Sequence, residues 1–368
     1  MIALSGVGRI PLTPTLSPKG RESKWMKFFC FFLFTKRRFF RRGYDVKAVV
    51  CEVLGGPEVL VVRELPDPPA PGAGEVQVRI LARGAQYVDV LQVAGTYQTK
   101  PAMPFVPGGE AAGEIVAVGP GVTGFAVGDR VMSRHSGAFC TLGNAKASAC
   151  DLLPAALTLE EGAVFRGAYS TAYYALVQKG RMKAGEWVLI HGAAGGIGIS
   201  AIQIAKLYGA KVIATASTEA KRAACLAQGA DFAIDYRSGF RENVKELTGG
   251  KGVDIVYDPI GAEVFDESTR CLNWGARLLI LGFLGGAPAL AKTNHLLIKG
   301  AEAIGVWIGG LGMNEPEVAE ANMRVLLGLA AEGKLKPAIS HRFPLEEASG
   351  CLQAIVERAV IGKAVLVG

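Results

Sequence analysis

Seven cysteines are scattered through the 368 residues, at positions 30, 51, 140, 150, 225, 271 and 351, and no two are separated by only two to four residues. That spacing rules out the common zinc-knuckle pattern and argues against a disulfide framework, so a reducing, cytoplasmic compartment is expected. Histidine is scarce as well. The four, at 135, 191, 295 and 341, lie too far apart in sequence to form a ligand pair by spacing, and each reads as a core or surface residue. Long apolar runs are also missing. The stretch Phe28–Phe34 holds seven residues between Lys27 and Lys36, whereas a membrane span needs roughly 20. Basic residues follow it, not the small residues of a signal cleavage site, so neither anchor nor secretory leader is expected. No internal repeat or low-complexity tract is visible.

The net charge of +7 suggests an anionic partner until its distribution is examined. Residues 1–45 carry ten Lys/Arg against two acids, and the remainder carries 30 against 31. The body is therefore close to neutral and offers no nucleic-acid footprint. Residues 1–45, with the Pro-rich stretch Pro11–Pro18, read as a non-native or disordered extension, and Val46 is the natural start of the first strand.

The richest signal is the run from Val188 to Gly198, an apolar strand pattern that leads through a glycine-rich turn into the helical pattern 199–207. Read as A-x-G-x-x-G from Ala193 through Gly195 to Gly198, it fits a loop that holds a dinucleotide pyrophosphate. Gly195 would admit the phosphates to the backbone, Gly198 would let helix and strand approach, and free N–H groups at the helix start would face negative charge. Ala193 stands where the usual fingerprint has its first glycine. The alternative reading is a plain tight turn. Ala193, Gly195, Gly196, Ile197 and Gly198 are the candidate ligands in this loop.

Strand patterns at 211–216, 253–258 and 277–282 alternate with helical patterns at 219–228 and 264–272, which predicts a doubly wound parallel sheet with its ligand at the carboxyl ends of the strands. From Val46 to about Phe165 the pattern is short strands and glycine turns, as at 75–80, 113–119 and 128–132, and predicts a small β-barrel-like domain. A helix at 171–178 leads into the parallel sheet. Another at 317–331 and a last strand at 363–367 should return to the first domain. The expected order is an extension over 1–45, a catalytic domain over 46–165, a Rossmann domain over 166–304 and a catalytic return over 305–368.

Several segments in this order carry a resemblance: Gly55–Leu60, Phe105–Gly113, Val118–Val131, the glycine loop, Leu247–Asp254 and Tyr257–Gly261. Together they resemble the zinc-independent medium-chain dehydrogenases/reductases, closest to NADPH:quinone oxidoreductases of the zeta-crystallin type. The resemblance implies a GroES-like catalytic domain beside a Rossmann domain, a cleft between them, a homodimer paired around 298–306, and NADPH as cofactor. Zinc alcohol dehydrogenases of the same superfamily carry a ligating histidine where this chain has Gly109, so no catalytic metal is expected. Glu110 reads as structural.

NAD-binding chains place an acid about 20 residues beyond the loop. Here Ala216, Ser217 and Thr218 stand at that point, followed by Lys221 and Arg222, and a hydroxyl with a cation suits a 2′-phosphate. Glu219 dissents, and a merely solvated helix face is the alternative. Similar quinone reductases flank the 2′-phosphate with residues matching Lys221 and Tyr236. Tyr97 matches a tyrosine that related enoyl-thioester reductases use near the substrate and is the candidate acid, with packing as its alternative role. Where a threonine is expected to contact the nicotinamide amide the chain has Ala168. Arg166 could place a cation in the cleft or serve as a hinge ion pair. The expected function is NADPH-dependent hydride transfer to a quinone or another electron-poor conjugated carbonyl. The alternatives are an enoyl-thioester or acrylate-type C=C reductase and a weakly catalytic NADPH-binding structural or RNA-binding protein.

Overall fold

A computed structural model describes residues 46–288 and 290–368; the expectation for residues 1–45 lies outside them. The chain opens with strands β1 (Val46–Cys51) and β2 (Leu60–Leu65), which pair antiparallel. Strand β3 (Glu75–Ala85), helix α1 (Tyr87–Val93) and strands β4 (Glu110–Val118), β5 (Arg130–Arg134), β6 (Leu142–Lys146) and β7 (Cys150–Leu152) follow. Along β3, Val76, Val78 and Ile80 are buried at every second position, as a sheet with one covered face requires. Short helices α2 (Leu159–Gly162) and α3 (Phe165–Tyr173) lead onward. Thr158 caps α2 with a reciprocal capping box through Glu161.

Six parallel strands come next: β8 (Trp187–Ile190), β9 (Lys211–Thr215), β10 (Phe232–Ile234), β11 (Val253–Asp258), β12 (Leu272–Ile280) and β13 (Glu302–Gly305). Between them run α4 (Gly196–Leu207), α5 (Glu219–Ala227), α6 (Arg241–Leu247), α7 (Ala262–Ser268) and α8 (Thr293–Lys299). The strand order β10-β9-β8-β11-β12-β13 reverses direction beside β8, the switch point at which such sheets bind ligands. Val188, Leu189, Ile190, Val212 and Ile213 are fully buried, because helices cover both faces of a parallel sheet. The chain closes with α9 (Ile308–Asn314), α10 (Pro316–Ala331), β14 (Ile339–Pro344), α11 (Ala348–Val356) and β15 (Lys363–Val367). β15 pairs with β3, so the last strand joins the antiparallel sheet in the order β14-β15-β3-β4-β5-β7, with β6 also on β3.

Two sequence expectations need correction. The helix expected over 264–272 spans only Ala262–Ser268, and Leu272 instead pairs with Val253 at the start of β12. An apolar residue at that position satisfies both periodicities, and the sheet partner decides between them. The helix expected over 171–178 begins at Phe165 and widens into a π-helical segment at Tyr174–Lys179. Insertion of a wide turn of this kind shifts the apolar spacing off a regular helical repeat.

Candidate active site

The glycine loop connects the end of β8 to the start of α4. Gly192 has φ +57°, a left-handed turn that costs glycine nothing. The sharp turn is therefore made one residue before Ala193, which is fully buried and donates its N–H to the Thr215 carbonyl at 3.3 Å. Gly195 is the N-cap of α4, with no side chain to cap it, so helix-start N–H groups are left for a ligand. A Cβ on Gly198 would stand 2.5 Å from the Gly192 carbonyl oxygen and 2.6 Å from Ala193 Cα. Only glycine lets the helix approach its own entry loop so closely. Ile197 is half-buried and packs on the main core. The loop thus has the free donors and the close backbone approach that a pyrophosphate requires.

The loop is also tied to the antiparallel sheet. Gly195 bridges to Gly362, and the Gly362 N–H donates to the Ala194 carbonyl at 2.7 Å. Next in the chain, Lys363 runs beneath Gly196, where an added Cβ would collide with Lys363 Cε. Sequence reasoning missed this lysine, because nothing local marks it as a neighbour of the glycine loop. Burial pushes its ammonium pKa down, opposed by Glu110 and then Asp89. Those two carboxyls are pushed up by burial, Asp89 to about 7, and each is opposed in part by Lys363.

Glu110 is buried, and one of its oxygens accepts the Gly167 N–H of α3. Its Oε2 has no partner among the described residues. Gly109, just before it, is exposed, and nothing stands within 4 Å of an added Cβ there. Arg166 pairs with Asp151, with side-chain exposures of 13% and 20%; its charge is held in this ion pair at the start of α3. Ala168 is buried, and its carbonyl accepts from Ser200 Oγ of α4 at 3.0 Å.

At its carboxyl end β9 runs into Ala216, Ser217 and Thr218. Thr218 caps α5 by accepting the Lys221 N–H. Ser217, Lys221 and Tyr236 are all half-buried. Lys221 Nζ donates to the Arg358 carbonyl at 2.5 Å, and burial followed by the Arg358 charge lowers its pKa. Arg358 was missed by sequence reasoning; it lies just past α11 with φ +57° and also donates to the Leu284 carbonyl at 3.2 Å. Arg222 is occupied by Asp235 at 3.1 Å, and Arg237 holds the same carboxylate at 2.6 Å. Glu219 is exposed at the first position of α5.

Beneath the loop, His191 lies fully buried between Thr215 and Ser268, at 3.0 and 2.8 Å. The Ser268 hydroxyl donates to Val264, so it accepts from Nε2–H and leaves Nδ1 to accept from Thr215. Desolvation drives this imidazole down to about 3. Tyr97 sits half-buried on the loop after α1, its N–H donating to the Leu91 carbonyl at 3.2 Å.

This combination of glycine loop, switch point and seam to an antiparallel sheet matches known proteins along most of the chain. Residues 72–184 match the alcohol dehydrogenase GroES-like domain, and residues 196–325 match the zinc-binding dehydrogenase family. A quinone oxidoreductase-like protein 2 homolog from Nematostella vectensis is 34% identical over 336 residues, covering 89% of each chain. The chain belongs to the quinone oxidoreductase group of the medium-chain dehydrogenases/reductases. It is an oxidoreductase. Escherichia coli quinone oxidoreductase, solved with NADPH, superposes with a TM-score of 0.78 at 31% identity, covering 88% of this chain and 99% of that one. A mycobacterial protein complexed with NADPH gives 0.81 at 32% identity, covering 88% and 100%. Among the described residues, no three His, Cys, Asp or Glu side chains are grouped so as to hold a metal, and no helix is long and apolar enough to cross a membrane.

Proposed function

We propose that this member of the group is a zinc-independent NADPH:quinone oxidoreductase. The observation that carries the cofactor choice is the end of β9, where a serine and a lysine beside Arg358 stand in place of an acid. Lys221 and Arg358 flank the 2′-phosphate, with Ser217 and Tyr236 beside them. Gly195, Gly196, Ile197 and Gly198 hold the pyrophosphate over the start of α4, with Ala193 buried below them. When bound, NADPH supplies the hydride. The chain's own residues hold and enclose the reactants: Gly198 allows the close loop, the Gly195–Gly362 bridge fixes that loop to the catalytic sheet, and the Lys363 side chain packs against Gly196. The glycine at 109, which has no side chain to ligate a metal, supports catalysis without zinc. A reduced quinone can take its proton from water, so no positioned acid is required.

In this reading the catalytic domain spans 46–165 and 305–368, the Rossmann domain 166–304, and the protein works in the cytoplasm, a compartment that suits its buried free cysteines. A homodimer formed along β13 is supported by that strand's place at the sheet edge and by the exposed Trp274, Leu297 and Ile298 nearby. Light scattering at the monomer mass would overturn it. The function itself is tested by following NADPH absorbance with a panel of quinones, enones and enoyl-CoA esters. Turnover of quinones is expected; activity confined to the enoyl esters would replace this reading with the C=C reductase.

A further inference from the structure

The buried cations around Glu110 each have a carboxylate to answer them, and the exposed Arg134 stands in the field of Glu110 as well. Arg166 has Asp151, and Lys363 lies in the field of both Glu110 and Asp89. Arg134 has no carboxylate within ion-pair distance among the described residues. It is exposed at the end of β5, directly across the strand pair from Glu110. Its neighbour His135 donates its N–H to the carbonyl of the open Gly109 at 3.0 Å. On the other side, Arg134 Nη1 would stand 3.4 Å from a Cβ on Gly312. Gly312 belongs to α9, which follows β13 and so lies at the carboxyl end of the parallel sheet, where the ligand is expected. The guanidinium therefore reaches from the antiparallel sheet to the helix that follows the last parallel strand. Beside it the buried Glu110 Oε2 has no partner. Burial opposes charge on both sides of this cluster, pushing the Glu110 and Asp89 carboxyls up and the Lys363 ammonium down.

We propose that Arg134 is a specificity-determining residue that selects acceptors carrying an anionic substituent, a carboxylate or sulfonate, on the face of the ring or enone remote from the reacting carbon. The open space at Gly109 receives the acceptor's body, and the guanidinium fork takes the two anionic oxygens. This rests on the reading above that the cleft reduces conjugated carbonyls. The rival role for Arg134 is purely structural, a cation facing the last turn of α9.

The test compares naphthoquinone with naphthoquinone sulfonate in the wild type, Arg134→Gln and Arg134→Lys. Wild type should favour the sulfonate in kcat/KM. The ratio of sulfonate to parent should fall by about tenfold or more in Arg134→Gln, the worth of one hydrogen bond to a charged group. Arg134→Lys should recover part of it. An unchanged ratio overturns the proposal, and a lowered melting temperature with an unchanged ratio assigns Arg134 to α9 alone. If neither quinone is reduced, the functional reading fails separately. Calorimetric binding of naphthoquinone sulfonate to the NADP⁺-loaded protein then decides: weaker binding by Arg134→Gln sustains the proposal, and equal binding overturns it.

Discussion

Replacing Lys221 by glutamate is the sharpest perturbation of the cofactor site. In the folded chain its ammonium lies half-buried at the start of α5, donates to the Arg358 carbonyl at 2.5 Å and feels the Arg358 charge. A hydrogen bond from a charged donor to phosphate is worth about 1.5–3 kcal/mol. At about 1.4 kcal/mol per factor of ten, Lys221→Glu should weaken NADPH by roughly 10- to 100-fold, and the new carboxylate repels the phosphate further. NADH lacks the 2′-phosphate and should be almost unaffected. The hydrogen bond from Lys221 to the Arg358 carbonyl is largely solvent-screened, so removing it should cost little stability. The assay is kcat/KM for both cofactors, with dissociation constants from fluorescence of the bound dinucleotide. Arg358→Ala is the companion variant: it keeps the carbonyl that Lys221 touches but removes the guanidinium, and should lose NADPH preference by a similar factor. A wild type with equal affinity for the two cofactors, or a Lys221→Glu ratio unchanged from wild type, would refute the assignment.

The remaining predictions concern other parts of the site. Tyr97→Phe should change quinone reduction by no more than a few fold, whereas a loss of about 100-fold with enones would mark the hydroxyl as their proton donor; kinetics against both acceptors separates the cases. Gly198→Ala forces a methyl to within 2.5 Å of the Gly192 carbonyl oxygen and should raise the NADPH dissociation constant about tenfold or more, with calorimetric affinity equal to wild type as the contradicting result. His191 takes up a proton below about 6.5 in the unfolded chain but resists until about 3 in the folded one. Stability from this group is therefore complete above pH 6.5 and is lost as pH falls toward 3, at up to about 1.4 kcal/mol per pH unit. His191→Gln should flatten the acid limb of urea-unfolding stability by about that slope between pH 6 and 4; an unaltered slope would show that the histidine is not buried neutral.

Legibility in the sequence followed the range of the interaction. The strands at 188–190, 211–215 and 253–258 were visible because a parallel sheet covered on both faces needs short continuous apolar runs. Gly195 and Gly198 were visible because their constraint is local, a helix start crossing its own entry loop. The same loop misled by one residue. The fingerprint assigns its turn glycine to the place of Ala193, while the positive φ belongs to Gly192. Leu272 was misread as helical because its apolar side chain fits either period, and only pairing with Val253 resolves it. Lys363, Arg358 and Arg134 were missed for a common reason. Each meets its neighbour from a distant part of the chain, through the Gly362 seam, the bond with Lys221 and the approach to Gly312. Arg166 left two readings open in sequence, and the ion pair with Asp151 favours the hinge.

The measurement that bears most directly on the central claim is NADPH oxidation by a quinone in metal-free buffer containing a strong chelator. The open Gly109, the glycine loop fixed at Gly362 and the cations Lys221 and Arg358 predict steady turnover with NADPH, the same rate with and without chelator, and at least tenfold lower efficiency with NADH, the worth of about one charged hydrogen bond. Absence of turnover with every quinone, or activity that chelation abolishes and zinc restores, would contradict the account.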